Sequence, residues 1–460
     1  MLRIDESITV ASLRPALDRL WDLAGPKLLS INQTCTPQFG TPVFTVGGKY
    51  QPQGWTEWTQ GFQFGCTLLQ FDATGDEQFL TIGRDNTFQR MATHASHTGV
   101  HDHGFNNVST YGNLRRLMLE GRIPHDPREL AFYELALKVS SAVQASRWST
   151  TIDGDGYIYS FNGPHSLFCD TIRSLRSLSM GYHLGHELTG ENDLRTSLLD
   201  RLLQHVRTTA KYNVYYGEGR DLYDVWGRVA HESIFNVNDG RYRCPSTQQG
   251  YSPFSTWTRG LAWIMVGAAE QLEFLETVDE DAFTPFGGKV GNVGVLLQAA
   301  RASSDFYIQL SPTDGIPYWD TGAPGLAHMD RPLDHPADPF NAYEPVDSSA
   351  AAIGAQGLLR LGRYLQRHND PAAGTHYFQA GLTVLQRLLD EPYLSLDANH
   401  QGLLLHSVYH RPRQWDHVPN GGTVPFGEST MWGDYHLLEL AVTADRRDPS
   451  QPEYYFFGPK

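Results

Sequence analysis

The chain has 460 residues, 40% hydrophobic and 19% charged, which excludes a disordered polymer and supplies ample material for a large core. A formal net charge of −15 excludes partners that are gripped through basic patches, so neither nucleic acid nor an anionic membrane is expected. The four cysteines, Cys35, Cys66, Cys169 and Cys244, form no CxxC pair and are too sparse for a disulfide framework; buried free thiols in a reducing compartment are expected. The opening MLRIDESITVASLRPALDRLW has no apolar stretch before a small-residue cleavage site, and no run of about 18 apolar residues follows anywhere. The expectation is a soluble, cytoplasmic protein whose oligomeric state, monomer or weak dimer, stays open. Aromatic residues at 12% and 19 histidines suit a protein that grips sugar rings, and a large aromatic core would look the same.

Taken in chain order, apolar residues return every three or four positions in segments 13–24, 55–75, 129–148, 171–190, 194–210, 255–276, 293–310, 348–366 and 378–390, predicting helices. Alternating strands are few; FGTPVFTV (39–46) and GYIYSFN (156–162) are short candidates for edge ribbons. A weak internal echo joins FDATGDEQFL (71–80) to HELTGENDLR (186–195), and QRHNDPAAGTHYF (366–378) shares the polar break. Thr74 and Thr189 lie 115 residues apart and Asn369 a further 180, about two and three times a unit near 60 residues, the size of a helical hairpin with its loops. Six or seven such hairpins use up the chain. The expected fold is therefore all-α, an (α/α)6 toroid with minor short strands in loops; an open solenoid or two helical domains are the alternatives. Length by itself suggests roughly two or three domains, but no Pro/Ser-rich linker interrupts the chain, which favours one domain over residues 1–460.

Long irregular stretches at 91–110, 149–170, 231–256, 311–347 and 406–430 each precede a candidate helix. In a toroid the N-termini of alternate helices share one rim, so these loops are expected to converge there. In STWTRGLAWIMVGAAEQLEFL, Leu261, Ile264, Met265, Ala268, Leu272 and Leu275 share a face, while Arg259 and Trp263 point the other way. That second face is either a solvated cation–π pair or the wall of a central cavity. Asp170 directly precedes a helical segment, where the commoner role is an N-cap with a lowered pKa. A proton donor at that place needs a neighbouring negative charge, which Asp102 can supply. Asp102 sits in HDHGFNN (101–107), but no HExxH or Cys/His spacing accompanies His101 and His103, so no metal is expected and both histidines read as scaffolding.

These segments carry a resemblance. WTEWTQGF (55–62), HDHGF (101–105), CDTIRSL (169–175), QQGYSPFSTWTRGLAW (248–263), DGIPYWD (314–320), VDSSAAAIGAQGLL (346–359) and GDYHLLEL (433–440) are similar to those of the unsaturated glucuronyl hydrolases, glycoside hydrolase family 88, and more distantly of the unsaturated rhamnogalacturonyl hydrolases. They run in the family's order and cover nearly the whole chain. The resemblance implies an (α/α)6 barrel and no metal or organic cofactor. It implies two catalytic aspartates, Asp102 and Asp170, the latter as general acid/base, and a sugar site lined by Trp58, His231, Gln249, Arg259 and Trp263. The His231 match is the loosest. The chain departs from the usual pattern at the third place of HDHGF, at TIRSL after Asp170 and at GFQFG, which puts subsite preference in doubt more than chemistry.

The implied substrate is an oligosaccharide left by a polysaccharide lyase, ending in a uronate with a C4=C5 double bond beside the ring oxygen. Protonating C4 of this vinyl ether creates an oxocarbenium-like centre at C5; water adds there, and the hemiketal opens and expels the remaining chain. The expected division has Asp170 doing the proton work with a raised pKa, held protonated by Asp102, while Arg259, Gln249 and His231 orient the uronate and water and the tryptophans stack on sugar. An ordinary two-carboxylate glycosidase, a sugar epimerase using paired histidines, and a non-catalytic carbohydrate-binding protein are the alternatives. Arg411 and Arg413 lie in the last loop, and the sequence does not place either in the site.

Overall fold

The computed structural model describes residues 1–54, 57–446 and 453–457. Trp55 and Thr56, which open the expected 55–75 helix, lie outside the described residues. In chain order the helices are α1 (Val10–Thr34), α2 (Gln60–Thr74), α3 (Glu77–Arg90), the short α4 (Ala92–Ala95), a π-helix (Gly104–Gly112) running into α5 (Asn113–Leu119), and α6 (Pro127–Ser146). They continue as α7 (Thr171–Ser174), α8 (Arg176–His183), α9 (Leu198–Tyr212), α10 (Thr258–Glu276), α11 (Lys289–Leu310), α12 (Ser348–Arg367), α13 (Pro371–Leu388) and α14 (Met431–Asp445).

Burial sorts them into two rings. The helices α2, π/α5, α7/α8, α10, α12 and α14 are buried almost all round, as α12 shows from Ser348 to Leu365. Each packs on the next, and α14 returns to pack on α2, which closes the inner ring. The helices α1, α3, α6, α9, α11 and α13 bury one stripe only; α9 does so with Leu198, Leu199, Leu202, Leu203 and Val206 at helical spacing. They form the outer ring of an (α/α)6 toroid, the architecture expected from the sequence.

The internal echo marks one structural position. Thr74 ends α2 just before its turn into α3, and Thr189 and Asn369 lie in the connections from α8 to α9 and from α12 to α13, so all three mark the passage from an inner helix to its outer partner. The unit arithmetic needs correction, because the second gap spans two helix pairs and not three; the long segments after α9 and α11 stretch those pairs. The expected 171–190 helix also breaks, ending at His183 before a hairpin of Glu187–Thr189 with Arg195–Ser197. A three-stranded antiparallel ribbon, Ser166–Phe168 beside Glu232–Phe235 beside Tyr242–Ser246, was not foreseen. It matters to the site. Phe168 pairs with Glu232, and the Cys169 N–H donates to the His231 carbonyl at 2.9 Å, so the ribbon sets His231 beside Asp170. Three of the cysteines are buried as expected, whereas Cys244 is exposed.

Further along the inner helices, Arg173, Arg176 and Arg360 meet Glu270, Glu273 and Glu439 in the barrel interior. Arg173 bonds Glu439 at 2.7 Å, and every member is buried. Three positive and three negative side chains balance, which is the condition under which charges are tolerated out of water.

Candidate active site

The N-terminal ends of α2, the π-helix, α7 and α10 meet around a cavity of about 400 Å³. Four of the five flagged loops reach its wall. Residues 97–102 come from the first; Phe161, Phe168 and Asp170 from the second; Gln248 and Gln249 from the third; Tyr409, His410, Arg413 and Trp415 from the last. The loop at 311–347 stays behind the wall. From there Asp320 accepts the Tyr251 N–H at 2.8 Å, and Asp347 caps α12 through Ser349 and Ala350. Three carboxylates, Glu57, Asp102 and Asp170, and two guanidinium groups, Arg259 and Arg413, line the cavity, and Arg259 is already paired with Asp347.

Asp102 and Asp170 both face this cavity and meet on one histidine. His101 Nε2 lies 3.3 Å from Asp170 Oδ1 and 3.7 Å from Asp102 Oδ1, so the two oxygens are no further apart than the sum of these distances. Asp170 occupies the N-cap position of α7, yet its side chain makes no capping bond. The commoner structural role is therefore vacated, and the carboxylate is spent on His101 and the cavity.

The electrostatics reverse one expectation. Burial pushes the Asp170 carboxyl up, but the His101 hydrogen bond and the charges of His101 and Arg259 outweigh it and hold Asp170 below the usual carboxylate range. Burial pushes Asp102 up as well; His101 opposes this and the Asp170 charge adds to it, so Asp102 ends raised. Among the described residues no donor meets the Asp102 carboxylate within hydrogen-bond distance. Of the two, Asp102 thus holds a proton the more tightly and Asp170 ionises the more readily, the opposite of the expected order. The physical reason is His101, which the sequence reading had set aside as scaffolding.

His103 does behave as scaffolding. Its Nε2 donates to the His97 carbonyl at 2.9 Å and its Nδ1 accepts from Ser140 Oγ at 3.0 Å, while burial drives its pKa down to about 4. Both nitrogens are engaged, so the HDH triplet offers no pair of metal ligands.

The expected sugar-binding residues separate into three kinds. Trp58 lines the cavity, stacks on Trp432 at 5.0 Å and 27°, and donates its indole N–H to the Tyr409 hydroxyl at 3.3 Å. Trp263 touches the cavity from the core, 2% exposed, packed against Phe105 at 4.9 Å and His436 at 5.0 Å. Arg259 lines the cavity too, but its guanidinium is occupied: NH1 bonds Asp347 at 2.6 Å and the Val408 carbonyl, and NH2 bonds the Tyr409 carbonyl at 2.7 Å and Gln249 Oε1 at 3.1 Å. Arg259 is a clamp between two wall loops more than a direct grip on a ligand. Because Gln249 Oε1 accepts from Arg259, the amide NH2 of Gln249 is the end left to donate.

His231 does not line the cavity. It sits one layer behind, against Phe168 at 4.5 Å and Trp257 at 4.7 Å, and its Nδ1 accepts the backbone N–H groups of Gln248 (3.0 Å) and Gln249 (3.3 Å). Those bonds fix the neutral tautomer with hydrogen on Nε2, and burial takes its pKa down to about 4. The expectation that His231 touches sugar is corrected; it shapes the Gln248–Gln249 loop.

The sequence missed the aromatic collar of Phe161, Phe168, Trp257, Tyr409 and Trp415, and missed Gln248, His410 and Arg413. All but Trp257 lie in loops already flagged. The signal available was aromatic residues within those loops, and their joint position is a tertiary fact.

No sequence model of a known family matches the chain. Curated relatives do. An unsaturated chondroitin disaccharide hydrolase of Streptococcus pyogenes serotype M1 is 26% identical over 409 residues, 88% of this chain and 85% of the relative. The unsaturated glucuronyl hydrolase of Bacillus sp. strain GL1 is 26% identical over 439 residues, 93% of this chain and 97% of the relative. Among solved structures, an unsaturated glucuronyl hydrolase specific for heparin superposes with a TM-score of 0.69 at 20% identity, covering 94% of this chain and 97% of that one. The Bacillus sp. GL1 enzyme superposes with a TM-score of 0.67 at 23% identity, covering 95% and 100%. Across nearly its whole length, in sequence and in fold, the chain is a relative of the unsaturated glucuronyl hydrolases of glycoside hydrolase family 88.

Proposed function

We propose that this protein, acting as one catalytic domain over residues 1–460, removes the 4,5-unsaturated uronic acid from the non-reducing end of lyase-generated oligosaccharides. The observation that carries the reading is the meeting of Asp102 and Asp170 on His101 inside the cavity, in a chain related to such hydrolases over most of its length.

The uronate enters the cavity with Trp58 and the aromatic collar against the sugar faces and the Gln249 amide as a donor. Its carboxylate adds negative charge beside the pair, which raises the cost of an ionised Asp170 and favours its protonated form. Asp170 then gives that proton to C4. Water attacks C5, returning a proton to Asp170, and the hemiketal opens to release the shortened chain. Water is added across the double bond, the acid is regenerated, and no cofactor is consumed.

The alternatives are separated by the assay below. A standard glycosidase pair stands about 5–9.5 Å apart, which the bound on the Asp102–Asp170 separation also admits. An epimerase using paired histidines would draw on His97, His101 and His410, which line the cavity, whereas His103 and His231 do not. No helix among the described residues is long and apolar enough to cross a membrane.

The test is an unsaturated uronyl disaccharide followed by its near-UV alkene band. Wild-type protein should remove the band. Asp170→Asn and Asp102→Asn should each lose about 100-fold or more in rate with the fold intact. A band that persists with wild type overturns the hydrolase reading, and a full rate in Asp170→Asn overturns the acid/base assignment.

A further inference from the structure

We propose that His101 is the positioning residue that decides which of the two site carboxyls carries their shared proton. This rests on the assignment of Asp102 and Asp170 as the acids of the proposed hydrolysis. One imidazole nitrogen, Nε2, lies within hydrogen-bond distance of Asp170 Oδ1 at 3.3 Å and within ion-pair distance of Asp102 Oδ1 at 3.7 Å. The ring is held in place, lying nearly parallel to Phe161 at 20° and edge-on to Phe168 at 85°. Its main chain is held as well, because the His101 carbonyl accepts from Gln144 Nε2 at 2.8 Å and from Ser174 Oγ at 2.7 Å.

The other ring nitrogen shows why this histidine responds to charge. His101 Nδ1 is buried without a hydrogen-bond partner. A cationic ring would leave a buried N–H unsatisfied there, which disfavours the cation, while two carboxylate oxygens on the Nε2 side favour it. The ionisable groups facing the ring are Asp102 from its own loop, Asp170 at the head of α7, Arg147 at the end of α6, His205 on α9 and His231 on the ribbon. Of these, only the two aspartates draw a proton on, and together they hold His101 above its usual range despite burial. With the N–H on Asp170, Asp102 keeps the shared proton. A small movement of the N–H toward Asp102 reverses the preference, and one proton passes from Asp102 to Asp170 with no change in net charge.

His101→Gln keeps a side-chain N–H at the Nε2 position and removes the charge; His101→Asn is the second variant, and circular dichroism confirms the fold of each. The bell-shaped pH profile of kcat/KM should move to higher pH by about one unit or more on both limbs, since the cation that favours ionised carboxyls is gone. The kcat should fall more than tenfold with KM little changed. A profile that keeps its position while the rate falls uniformly is the mark of a merely structural role and overturns the proposal. Independently of turnover, the His101 resonance, identified by its loss in His101→Gln with isotope-labelled histidine, should titrate at lower pH in Asp102→Asn and in Asp170→Asn. An unmoved midpoint overturns the proposal. Because this titration needs no substrate, an inactive wild-type protein would count against the hydrolase reading and leave the test of His101 intact.

Discussion

Replacing Asp347 by alanine tests how far the cavity depends on a residue that never touches it. Asp347 is fully buried, and its Oδ2 accepts from Arg259 NH1 at 2.6 Å. Removing it leaves a guanidinium 1% exposed, with only neutral partners, and breaking such a buried pair costs about 3–5 kcal/mol. The same carboxylate caps α12 through the Ser349 and Ala350 N–H groups, worth about 1 kcal/mol more. The expected loss is thus about 4–6 kcal/mol, large against the ~5–15 kcal/mol that holds a natural domain together. Urea unfolding should show it as a lower midpoint at unchanged slope. Turnover should fall too, because Arg259 ties Gln249 to the Val408–Tyr409 segment. The double variant Asp347→Ala/Arg259→Met should be more stable than Asp347→Ala alone, since no uncompensated charge remains, yet it should stay catalytically poor. A loss below about 1 kcal/mol in the single variant would refute the claim that this ion pair fastens the wall.

Trp58→Ala should raise KM for an unsaturated disaccharide about tenfold, near 1.4 kcal/mol, with kcat less affected; an unchanged KM would remove Trp58 from the sugar site. Glu428 ties the Pro42–Val46 hairpin to the last loop, accepting from Thr45 and the Gly47 and Gly48 N–H groups; burial opposes its ionisation, but these bonds and His400 bring its pKa from 4.5 down to about 2. A depressed folded-state pKa means that stability from Glu428 is complete above about pH 4.5 and is lost as pH falls toward about 2. Glu428→Gln should therefore flatten the fall of Tm in that window, and a slope equal to wild type would contradict the assignment. A chelator should leave turnover unchanged, because both nitrogens of His103 are occupied and no group of three or more His, Cys, Asp or Glu side chains among the described residues is arranged to hold a metal ion; inhibition reversed by added metal would overturn this.

The toroid was legible because amphipathic outer helices such as α9 and α13 must bury one face, and a chain of such hairpins with no linker has few ways to do so. The inner helices were harder to read. The stretch GFNNVSTYGN has no apolar period, yet it forms a π-helix buried on all sides, its polar groups absorbed locally as Thr110 bonds the Asn106 carbonyl at 2.8 Å and Asn113 the Ser109 carbonyl at 3.0 Å. Such a segment reads as a loop until neighbouring helices remove the water. The two aspartates and the loops around them could also be named from motif and position. Their charge states could not, because a proton's place depends on distances between groups far apart in sequence. Asp102 and Asp170 are 68 positions apart along the chain and share one imidazole in space. Local pattern determined the ring and the candidate acids. Only the closed ring decided that His101 sits between them, that Arg259 is spent on Asp347 and the wall loops, and that His231 lies behind the wall, since burial and Coulomb interaction depend on three-dimensional separation.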